Sequence, residues 1–166
     1  QVLAEYPDIP YVLDPVLRST SGAGLLEPGG VAVLRSLLMP RATVTTPNLN
    51  ELEILCEGAG DVFEAAAQLA SACRQSILVK GGHATGPDCE DWLLYPDGRR
   101  YCFCAKRIET RNTRGTGCAL SALIAAYLAW KPYELEVSIA AAKDQLAAAL
   151  REHSKEAWKG GGPSFY

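Results

Sequence analysis

The chain has 166 residues, 48% of them apolar and 21% charged, which is the balance of one globular domain with a sizeable core. A formal net charge of -3 and no run of basic residues remove the general electrostatic reason to bind nucleic acid or an anionic membrane. The apolar stretches break well before the ~18 residues a membrane span needs, and no basic segment with an apolar core opens the sequence, so a cytoplasmic location is expected.

In chain order, Gln1 to Tyr6 reads as the last turn and a half of a helix feeding into a β-rich run, Ile9 to Asp14. Apolar spacing predicts a helix over Pro28 to Leu38, with Pro28 early enough to sit in a first turn. Ala42 to Thr46 is a second strand, stopped by Pro47. A short helix follows over Asn48 to Cys56, then an alanine-rich one over Asp61 to Cys73 that Asp61 can cap. Ser76 to Lys80 is a third strand, ended by Gly81-Gly82. Glu90 to Tyr95 and Arg99 to Ala105 flank Asp97-Gly98, a strong short-range hairpin signal. Two helices, Gly117 to Trp130 and Tyr133 to about Glu152, precede a Gly160-Gly161-Gly162-Pro163 tail.

Strands alternating with helices predict one α/β layered domain with a mainly parallel sheet, covered on both faces and carrying an antiparallel hairpin. A parallel sheet rarely opens with so few strands, because its edge would be bare, so part of the fold is expected to be missing. Six cysteines lie scattered in apolar or helical contexts and are expected to be reduced. Cys102-x-Cys104 lacks a second ligand pair, and with only His83 and His153 available a zinc site is not expected.

In open α/β sheets ligands sit beyond the carboxyl ends of the strands. Asp14 follows the first strand, Asn48 and Glu51 the second, Lys80 with His83 the third, and Gly115-Thr116-Gly117-Cys118 opens the helix after the hairpin. Carboxylates, a lysine and helix-start amides are the parts needed to hold a metal-nucleotide complex. Gly115 and Gly117 let amides converge, Thr116 offers a hydroxyl donor, and Cys118 at a helix N-terminus is expected to have a lowered pKa. Each residue also has a plainer reading: a glycine turn, a buried cysteine, a solvated lysine, and a capping box of Asn48 with Glu51. Their convergence favours the site. No G-x-x-x-x-G-K-[ST] segment exists, which excludes a P-loop.

The segments "VLDPVLRSTSGAGLL", "TPNLNELEIL", "ILVKGGH", "RIETRNTRGTGCALSALIAA" and "GGGPSFY", in this order, resemble hydroxymethylpyrimidine/phosphomethylpyrimidine kinase of thiamine biosynthesis, a branch of the ribokinase-like superfamily. The resemblance runs from about residue 10 to the C-terminus. It implies a ribokinase-like three-layer α/β/α fold whose N-terminal part is absent, and residues 1–166 as a single, incomplete kinase domain. It also implies transfer of phosphoryl from ATP, with Mg²⁺, to the hydroxymethyl group of an aminopyrimidine and then to its monophosphate.

Residue by residue, the resemblance implies an anion hole at Gly115, Thr116, Gly117 and Cys118, with Cys118 where sugar kinases carry a catalytic aspartate. Asp14 and Glu51 would serve Mg²⁺ directly or through water, and Asn48, Lys80 and Thr113 would line the nucleotide phosphates. Arg114 and Ala119 depart from the family's usual histidine and threonine. Gly58-Ala59-Gly60-Asp61 repeats the Gly-Ala-Gly-Asp of sugar-kinase anion holes but precedes an early amphipathic helix, where turn and N-cap are the expected roles. Pyridoxal or pyridoxamine kinase is the competing activity, a non-catalytic nucleotide-binding fragment the competing class, and a homodimer the possible assembly.

Overall fold

The computed structural model describes residues 2–19, 22–58, 60–81, 86–110, 113–130 and 134–152. Along these run α1 (Val2–Glu5), β1 (Val12–Leu13), α2 (Pro28–Val33), β2 (Val44–Thr45), α3 (Leu49–Leu55), α4 (Val62–Cys73), β3 (Ser76–Val79), β4 (Asp88–Leu94), β5 (Arg100–Lys106), α5 (Thr116–Trp130) and α6 (Leu135–Glu152). Gly82, His83, His153 and the glycine-rich tail lie outside the described residues.

The sheet order is β1-β2-β3-β4-β5, with β1 and β5 at its edges. β1, β2 and β3 are parallel neighbours, while β4 runs antiparallel to β3 and β5 antiparallel to β4. Four strands therefore point the same way, but most of the paired residues belong to the antiparallel ladders. The expectation of a mainly parallel sheet needs that correction, and the reason is length. β1 and β2 are shorter than the runs Ile9 to Asp14 and Ala42 to Thr46, because Pro10 has no N–H for a ladder and Thr43 bonds Tyr11 partly through its own hydroxyl.

Alternation along the strands divides the core between two faces. Ile77, Val79, Leu13 and Leu94 pack with Leu52, Leu55, Leu69 and Met39 under α2, α3 and α4. Leu78, Leu93, Val44 and Phe103 face the other way, against Leu120, Ile124 and Leu128 of α5 and Ile139 of α6. The result is three layers. β3 is buried along its whole length, as a central strand covered on both faces must be.

The helix expected over Pro28 to Leu38 is α-helical only to Val33, widens to a π-turn over Leu34–Leu38 and tightens to a 3₁₀ turn at Met39–Arg41, where Pro40 has no N–H to lose. At the hairpin, Gly98 takes φ +87° and its amide donates to the Tyr95 carbonyl at 3.1 Å, so the Asp-Gly signal forms the turn it predicts. All six cysteines are free thiols.

Candidate active site

The carboxyl ends of β1, β2 and β3 deliver the charged groups. Asp14 follows β1 directly, and Lys80 follows β3, where its backbone is fixed by a parallel bridge to Asn48 and by donation of its amide to the Pro47 carbonyl at 2.8 Å. That placement brings Lys80 Nζ 2.9 Å from Asp14 Oδ1, with the two side chains only 11% and 16% exposed. An ion pair so poorly hydrated costs desolvation on both sides and is weak evidence for stability; its placement at the strand ends fits a functional role better.

Asn48 and Glu51 form a full capping box on α3. The Glu51 amide donates to Asn48 Oδ1 at 2.9 Å and the Asn48 amide donates to Glu51 Oε2 at 2.8 Å. The plainer reading of this pair is therefore real. Glu51 is nevertheless buried and its charge acts on Cys118, so the cap holds a carboxylate at the edge of the same site.

At the other wall, Gly115 takes φ +78°, a left-handed conformation that favours glycine, and α5 starts at Thr116. Gly117 faces the lysine so closely that a β-carbon there would lie 3.2 Å from Lys80 Nζ. Two expectations are corrected here. Thr116 Oγ1 donates to the Thr113 carbonyl at 2.9 Å, so its proton closes the turn and is not offered to a ligand. The Cys118 thiol has its pKa raised, not lowered. Partial burial is the largest cause, followed by the charge of Asp14 and by the thiol's hydrogen bond to it, and these outweigh the opposite pull of Lys80. The raised pKa favours a neutral thiol beside the Asp14 carboxylate. Thr113 and Arg114 are exposed beside this turn.

Two groups absent from the sequence-based candidates complete the floor. The buried Thr46 Oγ1 lies 2.8 Å from Ser121 Oγ and 3.4 Å from Asp14 Oδ1, joining the end of β2 to α5 and to the carboxylate. Behind Lys80, the Gly81 amide donates to Asp91 Oδ1 at 2.8 Å, and Asp91 Oδ2 accepts from Lys143 of α6. Gly81 is obligatory there, since a β-carbon would fall 1.8 Å from the Glu90 carbonyl oxygen. The only local signals were a threonine at a strand end and a serine four residues after Gly117, and neither stands out without the fold.

The sequence model described as phosphomethylpyrimidine kinase matches residues 1–164. A hydroxymethylpyrimidine/phosphomethylpyrimidine kinase of Rhizobium meliloti is 45% identical over 92% of this chain and 59% of its own length. One from Haemophilus influenzae is 37% identical over 98% of this chain and 62% of its own length. The chain therefore spans about three-fifths of the curated relatives it matches. Among solved structures, an ADP complex of Bacillus subtilis pyridoxal kinase superposes with a TM-score of 0.72 at 32% identity, covering 85% of this chain and 54% of that one.

Proposed function

The chain belongs to the phosphomethylpyrimidine kinase family, and from that premise we propose that it forms the nucleotide-side portion of an ATP-dependent kinase for hydroxymethylpyrimidine and its monophosphate. The observation that carries the reading is the Asp14–Lys80 ion pair lying directly against Gly117 at the start of α5. Phosphoryl transfer asks for positioned charge more than for covalent chemistry, and this arrangement offers a cation, fixed amides and carboxylates within one small volume.

In this reading Lys80 takes the nucleotide phosphates, with Asn48 and Thr113 beside it, and the amides of residues 115–118 meet the transferred phosphoryl group. The donor set fits Mg²⁺. Asp14 and Glu51 supply two carboxylates, and Mg²⁺ in kinases is held by one or two carboxylates, phosphate oxygens and water. Mg²⁺ would neutralise phosphate charge during transfer. Cys118 acts as a neutral hydrogen-bond partner of Asp14 in the resting site, and a bound phosphoryl group would compete with that carboxylate for its proton.

A coupled assay for ADP release from ATP and Mg²⁺ tests the reading, run on this chain alone and on a version extended to the length of its relatives. Hydroxymethylpyrimidine is expected to stimulate the extended version; no stimulation in either would sink the proposal. The structural likeness to a pyridoxal kinase supports the second reading, in which pyridoxal replaces the pyrimidine and gives the higher kcat/KM. Binding of ADP with no turnover by the extended version would instead identify a nucleotide-binding chain without catalysis.

A further inference from the structure

Thr46 and Ser121 carry two hydroxyl protons and face more acceptors than they can serve. Thr46 Oγ1 is 2.8 Å from Ser121 Oγ, 3.4 Å from Asp14 Oδ1 and 3.4 Å from the Leu13 carbonyl, while Ser121 Oγ is 3.0 Å from the Gly117 carbonyl. Both residues are buried, Thr46 completely. A hydroxyl donates once, so two arrangements exclude each other. In one, Ser121 donates to the Gly117 carbonyl and Thr46 donates to Ser121, leaving Asp14 to Lys80. In the other, Ser121 donates to Thr46, and Thr46 donates to Asp14. The shorter distances match the first arrangement, with Lys80 already on Asp14 at 2.9 Å.

We propose that Thr46 is a positioning residue that takes over the Asp14 carboxylate when Lys80 swings to a phosphate, the hydroxyl chain reversing as the lysine leaves. The idea rests on the phosphate-site reading of Lys80. Its physical basis is that a poorly hydrated carboxylate losing Lys80 is costly until another charge or donor replaces it, and a preplaced hydroxyl lowers that cost. The reversal also withdraws the Ser121 hydroxyl from the Gly117 carbonyl in the first turn of α5, tying the state of Asp14 to the turn that would meet the phosphoryl group.

A double-mutant cycle tests this without turnover. In the Lys80→Met background Asp14 is left with Thr46 and the weakly donating Cys118 thiol, so Thr46→Val should lower the thermal midpoint by about twice as much as it does in the wild-type background, whereas Thr46→Ser should spare both. Equal losses in the two backgrounds would overturn the proposal. If Lys80→Met does not fold, calorimetry with ADP decides. Thr46→Val is expected to weaken ADP about ten-fold, the size of one hydrogen bond to a charged group, and Thr46→Ser to restore it. Unchanged affinity in Thr46→Val overturns the takeover. Failure of the wild type to bind ADP would refute the phosphate site while the cycle still judges the hydroxyl; absence of both a folded Lys80→Met protein and ADP binding would remove the premise and the proposal with it.

Discussion

Two glycine turns lead into helices in this chain and read alike as sequence, yet they do different things. Gly58 and Gly115 both adopt positive φ, +86° and +78°, and each turn opens a helix of at least three turns. At the first, the Asp61 carboxylate accepts from the amides of Phe63 and Glu64 at 2.9 and 2.8 Å, so the helix start is already occupied. At the second, among the described residues, no side chain takes up the amides of Gly117 and Cys118. The charged groups Lys80 and Asp14 stand in front of them. A glycine turn becomes a candidate anion site through what faces its amides; a positive-φ glycine precedes both helices.

Substitution of the second glycine in each turn should separate them most sharply. Gly117→Asp places a carboxylate against Lys80, where even a β-carbon would be 3.2 Å away, and should cut ATP turnover by more than about 100-fold, the loss typical of removing anion-hole stabilisation. A β-carbon at Gly60 meets no atom within 4 Å, so Gly60→Asp should leave turnover within about two-fold. Equal effects at the two positions would abolish the distinction. The next largest effect is on stability. Gly81→Ala drives a methyl into the Glu90 carbonyl at 1.8 Å, and backbone cannot step aside as a side-chain tip can, so urea denaturation should show a loss of about 3 kcal/mol. A loss well below about 1 kcal/mol would mean that this close approach relaxes easily.

What was legible in the sequence was local. Asp97-Gly98 predicted the hairpin and Asp61 the cap because each signal acts within a few residues of itself. Asp14, Asn48, Glu51, Lys80 and Gly115 to Cys118 could be gathered because strand ends of an α/β sheet share one side. Pairings that cross the fold stayed hidden. Thr46 meets Ser121 across 75 residues and Asp91 meets Lys143 across 52, with nothing in either segment to announce the partner. The sign of the Cys118 shift is hidden for the same reason, since a helix start argues for a lowered pKa and only the fold supplies the partial burial, first, and the nearby Asp14, second, that reverse it.

The smallest effect bears on whether free amides alone make an anion site. Asp61→Ala removes the cap from α4 and should cost about 1 kcal/mol in urea denaturation. It also frees the amides of Phe63 and Glu64, giving the early turn the same exposed donors as the later one. Arg35 lines the adjoining cleft, but it is paired with Glu57 at 2.6 Å, and Glu64 stands in the first turn with its own negative charge. The variant should therefore gain no detectable affinity for inorganic phosphate in a calorimetric titration, because Glu64 adds negative charge beside the freed amides and, among the described residues, nothing corresponds there to Lys80 lying against Gly117. Acquisition of millimolar phosphate binding would show that amides suffice, and the weight placed on Lys80 at the other turn would have to shift to the helix start itself.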